Sequence, residues 1–83
     1  MGDLADVKRK NVYKLLRWLE TKESVEVIEG GRHIYLIKHS SWSRPFPIPF
    51  KHNVINKHIL KSLMQQLVDS GVCSEAEFRE KIK

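Results

Sequence analysis

The histidine that follows a pair of glycines is the residue of this sequence best suited to chemistry. His33 comes after Gly30, Gly31 and Arg32, at the start of an apolar run. Histidine transfers protons well near neutral pH, because its unperturbed pKa of about 6.5 lies close to that range. Glycine lets the backbone turn sharply and approach another molecule closely. A general acid or base beside an arginine that grips an anion is therefore one interpretation of this stretch.

The plainer interpretation of His33 is that it packs in the fold or is simply solvated. A lone histidine is more often structural than catalytic. The remaining histidines, His39, His52 and His58, are better explained in that way. The sequence contains no Cys-x-x-Cys or His-x-x-x-His pattern, so it predicts neither a metal site nor a cofactor.

The chain is basic, which favours a polyanionic partner. Lys and Arg number 15 against 10 acidic residues in 83, giving a formal net charge of +5 at pH 7. Nucleic acid, an acidic protein or a membrane surface would suit such an excess, although a solvated basic surface explains it as well. The candidate phosphate contacts are Lys10, Lys14, Arg17, Arg32, Lys38, Lys57 and Lys61.

Cysteine content and hydropathy predict a compartment. The single cysteine, Cys73, leaves no intrachain disulfide within these residues and favours a reducing environment. The first residues, MGDLADVKRK, lack the apolar core of a secretory signal. No apolar run approaches the roughly 20 residues of a membrane span. We therefore expect a soluble, cytoplasmic protein without a membrane partner.

A predicted first helix positions three of the basic residues. It is expected from Asp6 to about Thr21, with Asp3 or Asp6 capping its start. Its apolar residues follow helical spacing in one stripe: Val12, Leu15, Leu16 and Leu19. Lys10, Lys14 and Arg17 fall on the opposite face, also at helical spacing, so that face is basic rather than merely polar.

Three strands are predicted after this helix. Residues 24–29 are rich in β-branched side chains, and residues 34–39 return across a turn at Gly30-Gly31. The second strand is partly apolar on both faces, so alternation alone does not identify the buried one. In PFPIPF, residues 45–50, every other residue is a proline, and the missing backbone N–H groups all lie along one side of the strand. Such a strand can pair on its other side only, which predicts an edge strand. Its remaining apolar residues, Phe46, Ile48 and Phe50, share one face and are expected on the core.

The remaining sequence predicts two helices. One runs from about Val54 to Ser70 with Gly71 as its stop. The other begins at a capping box formed by Ser74 and Glu77. Helix, three antiparallel strands, helix and short helix make an α+β fold, in a single domain over residues 1–83.

Four segments of the chain together match the pattern of one family. VYKLLRWLETK matches a first helix with leucine pairs, and residues 31–35, Gly-Arg-His-Ile-Tyr, match a Gly-Ser-His followed by apolar residues. Ile48-Pro49 with His52 matches a strand that ends in proline near a histidine. ILKSLMQQLVDSGVCSEAEF matches the closing helices. Over nearly its whole length, the chain resembles the HicA-type toxins, the small RNA-cleaving partners of toxin–antitoxin pairs.

The resemblance implies a fold, an activity and a partner. The fold would be double-stranded-RNA-binding-like, and the activity would be endonucleolytic cleavage of mRNA with His33 catalytic. The neutralising partner would be an acidic, HicB-like antitoxin that covers His33. The chain departs from the family at Arg32, which replaces a serine, and in the spacing from Pro49 to His52, which is one residue longer.

The chemistry of RNA fits a histidine without a metal. RNA carries its own nucleophile, the 2′-OH, and general acid–base help in moving its proton is typically worth about 10²–10⁴-fold. Arg32 would hold the phosphate if it stays in the turn. Two other functions remain open on these residues: a non-catalytic RNA-binding module of the same fold, and a protein-interaction domain. Trp18 and Trp42 could stack on unpaired bases, but they more readily border the core or a loop.

Overall fold

The described part of the chain forms three helices and two small sheets. The computed structural model describes residues 6–31, 33–50 and 53–82. The elements, in chain order, are β1 (Val7–Lys8), α1 (Arg9–Leu19), β2 (Val25–Glu29), β3 (Ile34–His39), β4 (Phe46–Pro49), β5 (Val54–Ile55), α2 (Lys57–Asp69) and α3 (Glu75–Lys81). β2, β3 and β4 form an antiparallel sheet in that order, and β1 pairs with β5 in a two-stranded ribbon. The predicted α+β class is confirmed.

Both long helices begin later than the sequence pattern predicts. Val7–Lys8 pairs antiparallel with Val54–Ile55. The first residues of both predicted helices therefore form strands instead. α1 therefore begins at Arg9 rather than at Asp6. α2 begins at Lys57, after the ribbon.

The predicted cap of α1 by Asp6 is wrong. Lys8 is the N-cap of α1, and its side chain makes no capping hydrogen bond. The Asp6 carboxylate instead accepts a hydrogen bond of 2.8 Å from the backbone N–H of Lys57, at the first residue of α2. A negative charge at that end also suits the helix dipole. Asp3, the other predicted cap, lies outside the described residues.

The remaining helix signals agree with the structure. Asn56 caps α2 by accepting a 2.7 Å hydrogen bond from the backbone N–H of His58. Gly71, with a φ of 76°, follows the last turn of α2 in the left-handed conformation that glycine adopts without strain. Ser74 and Glu77 form the predicted capping box of α3 in both directions.

The structure shows which face of β3 is buried, which the alternation of its residues did not show. Ile37 is fully buried on β3, so the face it shares with Tyr35 packs against the helices. Ile34 is 37% exposed on the outer face. β4 is an edge strand, as predicted from its prolines, with Ile48 buried on the inner face.

One core joins the inner face of the sheet to the helices. The whole predicted apolar stripe of α1 is buried in it. The buried residues of the core are Val12, Leu15, Leu16, Leu19, Val25, Ile37, Ile48, Phe50, Ile55, Leu60, Leu63, Met64, Leu67, Cys73, Phe78 and Ile82.

Among the described residues, none of the helices has the length and apolar character needed to span a membrane.

Candidate nucleic-acid interface

His33 closes the turn between β2 and β3. Gly31 has a φ of 128°, and His33 a φ of 59°. Among the described residues, His33 is the one non-glycine residue with a positive φ. Histidine adopts this left-handed conformation more readily than most residues, yet such a conformation costs about 1–3 kcal/mol and persists only where the surroundings hold it. The His33 side chain is exposed, so it is not a packed core histidine.

The end of β4 and the start of α1 hold the backbone of His33. The backbone N–H of Phe50 donates to the His33 carbonyl oxygen. The Phe50 carbonyl in turn accepts a 3.0 Å hydrogen bond from Nη1 of Arg9. Arg9 also donates through Nη2 to Oδ1 of Asn53, at 3.3 Å, and through its backbone N–H to the Asn53 carbonyl, at 2.7 Å. Arg9 therefore fixes the chain on both sides of residues 51 and 52.

Three aromatic rings surround the same corner of the fold. The Phe50 ring is 1% exposed, and its centroid lies 4.6 Å from that of Tyr13 and 5.0 Å from that of Tyr35. The two tyrosine rings meet edge to face at 5.6 Å. Phe50 thus contacts the tyrosines with its side chain and His33 with its backbone, so the histidine turn and the tyrosine pair form one structural unit.

The Tyr35 hydroxyl is neutral at physiological pH, and its surroundings disfavour ionisation further. Burial raises the pKa of Tyr35 above its usual value, and the neighbouring Tyr13 and the Glu29 carboxylate raise it further. A neutral phenol both donates and accepts hydrogen bonds. At neutral pH, Tyr35 can therefore offer either function to a bound molecule.

A cleft of about 540 Å³ opens between α1 and the inner face of the sheet. It is lined by Lys10, Tyr13, Lys14, Leu16, Arg17, Glu20, Val27 and Tyr35. Its volume falls within the range of about 300–1,000 Å³ that is typical of ligand sites. Three cations against one carboxylate make the lining basic, and the two tyrosines give it an aromatic floor.

The structure brings together only part of the predicted site. Lys10, Lys14 and Arg17 line the cleft. The cleft connects to the His33 turn through Tyr13 and Tyr35, whose rings contact Phe50. Lys38 lies on the outer face of the sheet opposite Glu26, and five residues of strand place it roughly 17 Å from His33. Lys57 and Lys61 are exposed on α2 and do not line the cleft. Arg32 and His52 lie outside the described residues.

The other candidate side chains are engaged in the fold. Nδ1 of His39 accepts a 3.0 Å hydrogen bond from the Ser41 backbone N–H, and its ring lies 5.3 Å from that of Trp42. Nε1 of Trp42 donates to Oγ of Ser70 at 2.6 Å, which ties the loop to the end of α2. In the described ranges, no group of three or more His, Cys, Asp or Glu side chains converges to hold a metal ion.

Trp18 lies away from the cleft. It packs against the core, and Nζ of Lys22 sits 4.6 Å above its ring. Nζ of Lys81, from α3, lies 5.4 Å from the same ring. The Trp18 side chain therefore lies at the contact between α1 and α3, not at the cleft.

Three residues of the site were not identified from sequence: Arg9, Tyr13 and Tyr35. Tyr13 had a usable signal, because it falls on the same helical face as the three cations at i, i+4 and i+7. Arg9 had none, since its partners lie more than 40 residues away in sequence. Tyr35 required the buried face of β3 to be known.

Comparisons with known proteins add no relative. No protein-family model, no curated protein and no solved structure matches the chain. The resemblance to HicA-type toxins therefore depends on the four sequence segments alone, and the function has to be inferred from the His33 turn and the basic cleft.

Proposed function

We propose that this protein is a HicA-type toxin, a metal-independent endoribonuclease that cleaves mRNA in the cytoplasm. The observation that carries the proposal is the connection between His33 and the cleft. An exposed histidine in a left-handed turn is tied through Phe50 to two tyrosines of a cleft that three cations surround. Left-handed non-glycine residues that the structure holds in place occur preferentially at functional sites.

The proposed reaction uses the nucleophile that RNA supplies. The 2′-oxygen attacks the adjacent phosphorus, and the bond from phosphorus to the 5′-oxygen of the next nucleotide breaks. The 2′-hydroxyl loses a proton and the leaving 5′-oxygen gains one, so the products are a 2′,3′-cyclic phosphate and a 5′-hydroxyl. His33 serves as general acid or base in one of these transfers, which is worth about 10²–10⁴-fold, and solvent water supplies or takes the other proton. The cations of the cleft attract the RNA backbone.

The fold and the charge support the rest of the proposal. One helix, three antiparallel strands and a second long helix follow in the order of double-stranded-RNA-binding-like domains. An acidic, HicB-like antitoxin is the proposed partner, because an acidic surface would complement the cations of the cleft and cover the exposed His33.

A non-catalytic RNA-binding module of the same fold is the second candidate. The cleft favours it, since its three cations and two tyrosines would suffice to bind RNA without His33. The two functions differ in one observable. A binding module protects or retains RNA, whereas the proposed enzyme shortens it and arrests growth when it is expressed without an antitoxin.

Cleavage is expected to persist when divalent metals are removed. In the proposed reaction, His33 acts in proton transfer and the 2′-OH is the nucleophile, so a chelator removes nothing that the chemistry uses. The measurement is the rate of cleavage of a labelled mRNA by purified protein with and without EDTA at constant ionic strength. Activity that vanished in EDTA and returned with Mg²⁺ or Mn²⁺ would contradict the proposed reaction.

A further inference from the structure

The volume of the cleft suits a nucleoside-sized group, not a duplex. At about 540 Å³ it can hold such a molecule between α1 and the sheet. A base in an RNA duplex is stacked and paired, so its faces are not available to a cleft. Unpaired bases can be splayed out and stacked on aromatic side chains.

Tyr13 is held in place and yet remains accessible. Its ring contacts Phe50 and Tyr35 at interplanar angles of 66° and 81°, which limits its movement. The residue is still 37% exposed, and it lines the cleft. A large hydrophobic side chain that is fixed on one side and open on the other loses little entropy when it binds. Tyr13 therefore offers a prepared aromatic surface.

Polar groups of the cleft match a nucleotide. Lys10, Lys14 and Arg17 occupy one face of α1 beside Tyr13, where they can contact the phosphates on either side of a bound base. Glu20, the single carboxylate of the lining, and the Tyr35 hydroxyl can accept or donate hydrogen bonds at the edge of a base. The lining thus combines an aromatic face, edge partners and phosphate partners.

We propose that this cleft binds one unpaired RNA nucleotide, with its base against Tyr13 and its flanking phosphates on the three cations. The RNA substrate is therefore single-stranded where it passes His33. This inference rests on the proposed function for the identity of the ligand. It adds the strandedness of the substrate and assigns Tyr13 as a binding residue that contacts it.

The test measures binding separately from cleavage. The protein carries His33→Asn, so that RNA is not consumed, and the probe is a fluorescein-labelled RNA of about 12 nucleotides without self-complementarity. Anisotropy gives its affinity as a single strand and after annealing to its complement. We expect tighter binding of the single strand. Adding Tyr13→Leu should weaken that binding roughly tenfold, as for the loss of one stacked base. Tyr13→Phe in place of Tyr13→Leu keeps the ring and should leave the affinity unchanged.

Three results would overturn the inference. The first is equal or tighter binding of the duplex. The second is an effect of Trp18→Leu as large as that of Tyr13→Leu, because Trp18 is a lysine-flanked aromatic residue of the same helix outside the cleft. The third is an unchanged affinity for the single strand when Tyr13→Leu is added, which would mean that the ring does not contact the RNA.

The folded state and the proposed function are checked independently. Circular dichroism must show that the Tyr13→Leu protein is folded, and the Tyr13→Phe protein supplies the same comparison with the ring retained. If the protein with native His33 cleaves RNA but Tyr13→Leu leaves affinity unchanged, the nucleotide site is wrong and the nuclease stands. If single-strand binding depends on Tyr13 but no cleavage occurs, the nucleotide site stands and the nuclease is wrong.

Discussion

Replacing His33 by asparagine is expected to reduce RNA cleavage by about 10²–10⁴-fold while the protein stays folded. Asparagine cannot transfer a proton near neutral pH, but it tolerates the left-handed backbone conformation that His33 adopts at a φ of 59°. It also retains the backbone carbonyl that accepts from Phe50. The measurements are initial rates of cleavage and the midpoint of thermal unfolding.

His58→Asn is the matched control for this substitution. His58 is exposed on α2, and its hydrogen bond to the Asn56 side chain uses its backbone N–H, not its ring. Its replacement should leave both cleavage and unfolding unchanged. Undiminished cleavage by a folded His33→Asn protein would remove His33 from the mechanism, and unfolding of that protein would show that the ring is structural.

Removing the three cations of the cleft is expected to weaken RNA binding by about a hundredfold at low salt. Each phosphate of a single strand that a cation neutralises contributes about 0.7 to the slope of log K against log salt concentration. The triple variant Lys10→Gln, Lys14→Gln and Arg17→Gln should therefore lower that slope by about 2. The measurement is anisotropy with the labelled single-stranded RNA over a series of salt concentrations.

A second triple variant separates the position of these charges from their number. Lys22, Arg44 and Lys81 lie outside the cleft, and their replacement by Gln lowers the net charge by the same amount. Lys22 and Lys81 flank Trp18, so the unfolding midpoint of this variant is measured as well. Equal losses of affinity in the two variants would mean that the RNA responds to net charge and that the cleft is not its site.

The parts of the fold that were predicted correctly are those with strong local signals. The four buried residues of α1 repeat at helical spacing, the prolines of β4 lack donors on one side, and Gly71 stops α2 with a positive φ. Each of these features follows from residues that are neighbours in sequence. The order of the long elements could therefore be predicted without the structure.

The errors in the fold come from contacts between distant segments. Val7–Lys8 becomes a strand because it pairs with Val54–Ile55, and nothing in the spacing of either segment indicates the other. The same ribbon brings Asp6 to the start of α2, where it accepts from Lys57. Local capping rules predicted that Asp6 caps α1, the helix that follows it in sequence. In the structure, Asp6 instead accepts a hydrogen bond at the start of α2.

The candidate site divides in the same way. A turn histidine and a basic helix face could be recognised from residue types and spacing, and the structure shows His33 exposed and the three α1 cations around one cleft. The aromatic floor depends on how α1 crosses the sheet, because Tyr13 and Tyr35 meet only there. The position of the His33 side chain could not be predicted from the strand pattern, because its positive φ takes the residue out of the alternation along β3.

The 2′-OH of the substrate provides the most direct test of the proposed chemistry. Two RNAs of the same sequence are compared, one unmodified and one 2′-O-methylated at every position, at equal binding saturation. We predict that the unmodified RNA is cut to products with 2′,3′-cyclic phosphate and 5′-hydroxyl ends, and that the methylated RNA binds but stays intact. Cleavage of the methylated RNA at the same rate would contradict a reaction in which the 2′-oxygen is the nucleophile.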